Sequence, residues 1–413
     1  MSSPPSFHLF ERYGVELEYM IVDADTLDVK PITDEVLKLV AGKYTNEVER
    51  GLVTWSNELV LHVIELKSTA PLESIDSVHT EYQKNVRDIN ALLEPFGARL
   101  MPTAMHPWMD PFSHTRLWPH DNNEIYDAFN KIFDCRGHGW SNLQSVHLNL
   151  PFANDEEFAR LHAAIRFLMP IMPALAASSP IMDMRATGIL DNRMDVYRSN
   201  CKRIPSVTGL VIPEPVFSPE EYQEVILQQM YREIAPFDPD AILQDEWLNA
   251  RGAIARFDRN TIEVRVLDVQ ECPAADLAVV HAITGVLRGL CEEQWVSHEA
   301  QRSFDTQSLH EILMRVVRDG ENAQVGLQEY AAVFGMDAGA TAGTLWRKLV
   351  NESARFRTSL AVEVSTALET LLAHGTLSGR ILRSLNHEYS RPNITRVFRD
   401  LCDCLVEGRI YGA

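Results

Sequence analysis

An α+β architecture with a mostly antiparallel sheet is what this sequence predicts, and three observations carry the prediction. Stretches at 14–23, 47–70, 144–150 and 261–269 read as strands, with apolar and polar residues tending to alternate. Long helical or irregular segments separate them, without regular short βα units and without a Gly-rich phosphate loop. Beyond residue 290 the pattern turns helical to the end.

Gly14 to Asp23 is the clearest strand. Val15, Leu17, Tyr19 and Ile21 fall on one face and Glu16 and Glu18 on the other. In an extended chain the two carboxylates stand about 6.6 Å apart, a suitable spacing for gripping divalent cations from one side. Alone, such a strand is more simply a half-buried one with a solvated acidic face. After a polar turn at 23–30, Thr33-Asp34-Glu35 opens a helix through Ala41, with residues suited to capping. Residues 47–70 return to strand character and stop at Pro71, and 74–93 carries apolar residues at helical spacing. A short strand at 98–103 precedes a loop at 105–123 rich in Pro, His, Trp and Asp. The strand 144–150 leads into a helix at 155–169 that is expected to stop at Pro170. Residues 185–215 read as a polar loop, 261–269 as a strand and 274–290 as an apolar helix. Further helices are expected near 308–319, 325–333, 342–350, 354–373 and 393–406. The change of pattern divides the chain into 1–295, carrying the chemistry, and a helical region at 296–413 packed on it.

Of 413 residues, 46% are hydrophobic and 23% charged, an ordinary soluble composition, while a net charge of -20 argues against nucleic acid and anionic membranes as partners. Nucleotides stay open, because metal ions can neutralise phosphates locally. Six scattered cysteines form no CxxC pair and fit reduced thiols in a cytoplasm. The first ten residues lack the pattern of a secretory signal, and the apolar run 167–182 is broken by three prolines, so a cytoplasmic location is expected. Nothing excludes a homo-oligomer.

The candidate chemistry lies on the strands. Glu58 and Glu65 bound one apolar run, but their odd separation puts them on opposite faces unless a bend intervenes. Glu65 in so apolar a run needs a cation or an arginine partner. His147 and Asn149 share a face, as do Glu263 and Arg265. Each has a plain structural explanation, a core histidine or an intra-strand ion pair. Together, Glu16, Glu18, Glu58, Glu65, His147 and Glu263 are hard O and N donors, enough for two or three Mg2+ or Mn2+ ions. Arginines are concentrated nearby, at 251, 256 and 265 and in the loop holding Arg193, Tyr197 and Arg198. In so acidic a chain this suggests binding of phosphate or carboxylate. No Ser-His-Asp or Cys-His signature is present.

In order along the chain, GVELEY, ELVLHVIELKSTAP, RLMPTAMHPW, SVHLNLPF, SSPIMDMRATGILDNRMDVYRS and ARFDRNTIEVRVLDVQ resemble the glutamate–cysteine ligase family, particularly its second subgroup of carboxylate–amine ligases. The resemblance covers about residues 10–290. It implies a glutamine-synthetase-like fold, a curved, mostly antiparallel sheet forming a funnel, with flanking helices. It also implies that ATP and Mg2+ or Mn2+ bind inside. On it, Glu16, Glu18, Glu58, Glu65, His147 and Glu263 match metal-holding positions. Arg265 faces the ATP phosphates, with Arg251 and Arg256 nearby, and Arg193, Tyr197 and Arg198 contact the acidic substrate or the transferred phosphoryl group. The implied reaction joins a carboxylate to an amine through an acyl phosphate, most simply glutamate to cysteine, and depends on Arg265 and Glu65. A phosphotransferase on the same fold, a non-catalytic Mg-nucleotide sensor and a metal-dependent hydrolase or oxygenase are the rival readings. The helical tail and the 105–123 loop lie outside the resemblance.

Overall fold

The computed structural model describes residues 6–76, 78–356 and 360–412. Ten strands are present among them: β1 Gly14–Asp23, β2 Glu47–Arg50, β3 Val53–Asn57, β4 Val63–Ser68, β5 Ala98–Met101, β6 Ser145–Pro151, β7 Ile181–Met182, β8 Arg185–Ala186, β9 Ala253–Arg256 and β10 Thr261–Asp268. Eight form one sheet in the order β2-β3-β4-β1-β6-β10-β9, with β5 also on β1; β7 and β8 pair separately. Every pairing is antiparallel. β1 is the axis. Its register gives one edge to β4, while β6 takes residues 14–17 of the other edge and β5 residues 20–23. A side chain at Gly14 would meet Asn149 Cβ at 2.9 Å, so glycine is what lets β1 and β6 close there.

One face of the sheet is apolar because the period-two pattern puts Val15, Leu17, Tyr19, Ile21, Leu66, Val146, Leu148, Ile262 and Val264 on it. All are fully buried. They share a core with helices His79–Leu93, Asp155–Leu168 and Pro273–Cys291. Each such side chain contributes about 1.5–3 kcal/mol on burial. Helices beyond residue 296 add Leu309, Ile312, Leu345 and Trp346 to the same core. Helix Pro273–Cys291 is long and apolar enough to cross a bilayer, but it lies inside the molecule.

The other face changes character along β1. Glu16 and Glu18 open onto a cavity, whereas Met20 and Val22 are covered by helices Leu377–Leu385 and Arg391–Glu407 through Leu377, Ile381 and Phe398. The C-terminal helices therefore close the far end of the polar face.

Several elements differ from the sequence reading. Residues 47–70 form three strands, with a turn at 58–62. The helix at 33–41 has Ile32 at its N-cap and no side-chain cap. Thr33 Oγ1 instead donates to Val63 O at 2.9 Å, so tertiary contact outcompetes capping. The helix predicted from 74 begins at His79. Past Leu168 the chain continues as a 3-10 turn, Met169–Ile171, because Pro170 fits the first turn of a new helical segment. Helices Asn123–Phe133, Gln228–Ile234, His298–Ser303 and Leu377–Leu385 were not anticipated. Of the helix expected at 354–373, the part Val362–His374 is present, and 357–359 lie outside the described residues.

Asp276, in the first turn of the core helix, accepts from Gln270 N at 2.6 Å and Tyr19 Oη at 3.0 Å. Burial pushes its pKa up to about 8. The native state thus keeps a proton that the unfolded chain releases above pH 3.8, and the resulting stability falls as pH rises toward 8. Asp276→Asn mimics the protonated acid. Its stability relative to wild type, read from urea unfolding, should improve with pH by about 1.4 kcal/mol per unit between pH 5 and 7. A constant difference would show the carboxyl to be ionised in the fold.

Candidate active site

Cross-strand register assembles the site. Glu16 on β1 stands opposite Lys67 on β4 and His147 on β6, Glu18 opposite Glu65, Ser56 opposite Glu65, and Glu263 opposite Asn149. Cross-strand partners share a face, so four separate acidic or basic strand patterns meet on one floor. His147 Nδ1 lies 2.9 Å from Glu16 Oε2 and 3.7 Å from Glu263 Oε1; its Nε2 lies 2.9 Å from Ser145 Oγ and 3.8 Å from Glu18 Oε1. Asn149 Nδ2 donates to Glu16 Oε1 at 3.0 Å. Ser145 donates its N–H and its hydroxyl to Glu18, and Ser56 Oγ donates to Glu65 Oε2 at 2.5 Å. Glu18, Glu65, His147 and Glu263 are buried.

Glu58 answers the spacing problem. The turn at 58–62 breaks the strand, so Glu58 and Glu65 face one cavity despite their odd separation. That cavity holds about 1070 Å³, above the usual range of about 300–1,000 Å³ for a small-molecule pocket.

The charges respond to this crowding. Burial, then the neighbouring carboxylates, push Glu65 and Glu58 above the usual carboxylate range. Burial acts the same way at Glu16, but the hydrogen bond and charge of His147, with Glu65 and Lys67 beside it, together outweigh burial and hold that carboxyl low. His147 is raised, because Glu16 and the other carboxylates overcome its burial and favour the imidazolium. Ligand atoms of Glu16, His147 and Glu263 lie within 4.8 Å of one another, as do those of Glu18, Glu65 and His147. Carboxylate oxygens converging on one imidazole are hard donors that fit divalent cations. His62, by contrast, is buried against Ser141 O at 2.8 Å and held down to about 4 by burial.

The predicted arginines separate into groups. Arg265 sits in a β-bulge between Val264 and Leu267, where the register to β6 shifts, and its Nε reaches Glu263 Oε1 at 3.0 Å. Arg256 reaches Asp258 at 3.2 Å and Glu263 at 3.8 Å, and both arginines line the cavity. Arg251 does not. Its guanidinium is buried and forks onto Glu214 at 2.5 and 2.7 Å, with further bonds to Ser206 O and Asn249, so its donors are committed to the fold. Arg198 is exposed, bonds Asp195 on its own helix and does not line the cavity. Arg193 is only 2% exposed and donates to Arg265 O at 2.8 Å, with Asp268 Oδ1 3.5 Å away. It pins the bulge that carries Arg265. Tyr197 lines the cavity, and its hydroxyl has no hydrogen-bond partner among the described residues.

Sequence reasoning missed Ser56, Lys67 and Ser145 as members of this network, and Arg259 and Arg12 as cavity residues. Ser145 and Lys67 each lie two residues from a recognised ligand candidate, and that period-two spacing was the available signal.

Two solved structures share the arrangement of elements. A glutamate–cysteine ligase from Francisella tularensis, in complex with AMP, superposes with TM-score 0.61 at 13% identity over 97% of this chain and 90% of that one. A bifunctional glutathione synthetase from Pasteurella multocida gives TM-score 0.63 at 13% identity over 97% of this chain; the match spans 53% of that longer protein. The fold is therefore that of the glutamate–cysteine ligases. An uncharacterized protein of Archaeoglobus fulgidus is 33% identical over 399 residues, 96% of this chain and 99% of that protein. The chain belongs to glutamate–cysteine ligase family 2, whose profile matches residues 12–400.

Proposed function

We propose that this protein is an ATP-dependent carboxylate–amine ligase that works through an acyl phosphate. The observation that carries the reading is one large cavity with a floor of carboxylates and His147, and with Arg256, Arg259 and Arg265 on its wall. Family membership supports it. Glu16, Glu18, Glu65, His147 and Glu263 would hold Mg2+ or Mn2+, and Glu58 stands beside them. When bound, the cations neutralise triphosphate charge and orient the γ-phosphate.

The chain's own residues do the rest. Arg265, kept cationic by Glu263 against its burial, faces the cavity where phosphate charge builds up, and Arg193 fixes its backbone. A carboxylate oxygen of the acid attacks the γ-phosphorus, and the bond to the β–γ bridging oxygen breaks to release ADP. The neutral amine then attacks the carbonyl carbon and loses a proton, the C–N bond forms and phosphate leaves. No protein nucleophile is required. Glutamate is the simplest acid. Six free, buried cysteines are compatible with a reducing cytoplasm.

Phosphate release from Mg-ATP with L-glutamate, alone and with a panel of amines that includes L-cysteine, tests the reading. Turnover dependent on both, with an amide in the mass spectrum, is expected. Turnover with acid alone and a stable phosphorylated product would replace the ligase by a phosphotransferase.

A further inference from the structure

Part of the cavity wall has a different chemistry from the floor. Helix Asn123–Phe133, the short helix His138–Ser141 and the 3-10 turn Glu246–Leu248 bring together Tyr126, Phe129, Trp140 and Trp247. The Phe129 ring centroid lies 5.4 Å from that of Trp140 and 5.8 Å from that of Trp247, an interlocked aromatic wall with each ring still partly open. Trp140 Nε1 is buried without a hydrogen-bond partner among the described residues. At the foot of this wall Tyr126 stands beside Glu58: Asn57 Nδ2 donates to Tyr126 Oη at 3.0 Å and to Glu58 O at 3.1 Å.

The charge pattern separates the substrates. Triphosphate and acid are anionic and belong with Arg256, Arg259 and Arg265. The aromatic recess offers π-faces with the Glu58 carboxylate at its foot, which suit an ammonium group attached to an apolar body. Glu58 is also outside both clusters whose ligand atoms converge closely enough to share one ion. A small thiol would leave the rings wet, whereas an aromatic ring would stack among them.

We propose that this recess binds the second substrate and selects an amine bearing an aromatic group, its nitrogen directed toward Glu58, in preference to cysteine. The assignment rests on the ligase reading for the identity of the site, but its recognition chemistry can be tested separately.

The experiment measures phosphate release by the full chain with Mg-ATP and L-glutamate, comparing 2-phenylethylamine, ethylamine and L-cysteine. The expected kcat/KM for 2-phenylethylamine is at least about tenfold above either small amine, the discrimination an apolar pocket supplies for a few carbon atoms. Phe129→Ala and Trp140→Ala should each lower it about tenfold or more with the KM for Mg-ATP unmoved. Equal use of the three amines overturns the proposal. So does a rise in the KM for ATP in these variants, which would assign the recess to the adenine base. If no amine supports phosphate release, the ligase reading fails, and tryptophan fluorescence decides the recess independently. A saturable change with 2-phenylethylamine and none with ethylamine upholds it, and no change with either refutes it.

Discussion

Glu65→Gln is expected to remove Mg-dependent ATP turnover while leaving the metal-free protein at least as stable as the wild type. The two halves of this result have one cause. Glu65 is 6% exposed, among Glu16, Glu18 and Glu58, with Lys67 Nζ 3.5 Å away. Burial and the neighbouring carboxylates raise its pKa, which favours the protonated form, the one that resembles the amide that would replace it. The Ser56 hydroxyl keeps an acceptor in either case. Relief of repulsion in the empty cluster then offsets any small loss of fit. With Mg2+ the order reverses, because the wild type exchanges that proton for a cation and the variant cannot. Loss of a group that only hydrogen-bonds to a ligand costs a metal site about 10–100-fold, so removal of a ligand itself should lower turnover by at least about 100-fold. Thermal unfolding with and without Mg2+, beside phosphate release, reads both halves. A variant that still turns over ATP, or that gains as much stability from Mg2+ as the wild type does, would remove Glu65 from the ligand set. Glu263→Gln should behave alike in turnover.

How far the sequence reaches can be seen from the same residues. Glu16, Glu18, His147 and Asn149 were placed on the right faces because β-strand periodicity is local and their strands run without interruption. Glu58 was ambiguous from sequence, since the turn at 58–62 that resolves it is stabilised by distant groups: Leu61 N donates to Arg116 O and Trp118 N to Leu59 O. Arg251 and Arg256 are five residues apart and identical in type. Only the presence of Glu214 beside the first and the cavity beside the second separates a structural fork from a cavity-lining cation. Arg193 lines the cavity and also donates to the backbone carbonyl of a bulge that no periodicity announces. The aromatic wall draws on residues 126, 129, 140 and 247, a convergence that appears only once the chain has folded. Chemistry carried by one strand was legible, whereas chemistry made by tertiary contact was not.

Arg380→Met should be the most destabilising single change among the C-terminal helices, by about 3–5 kcal/mol, because it leaves a carboxylate buried without its partner. Arg380, 4% exposed, donates to both oxygens of Glu271 at 2.5 and 3.3 Å and to Tyr411 O at 2.6 Å. Glu271 is fully buried in the turn between β10 and the core helix, and it also accepts from Tyr411 N at 3.2 Å. One ion pair thus ties helix Leu377–Leu385 and the segment around Tyr411 to the end of the strand that carries Glu263 and Arg265. The attraction of such a pair is largely cancelled by the desolvation of both charges, so its presence stabilises little compared with the harm of breaking it on one side. The double variant Glu271→Met with Arg380→Met should therefore recover most of the loss, and the cycle of urea midpoints should show strong coupling. Neither residue lines the cavity, so any folded fraction of the single variant should keep the wild-type KM for ATP. A single variant within about 1 kcal/mol of the wild type would mean that Glu271 takes up a proton instead of standing as a bare charge, and its unfolding would then become steeply pH-dependent.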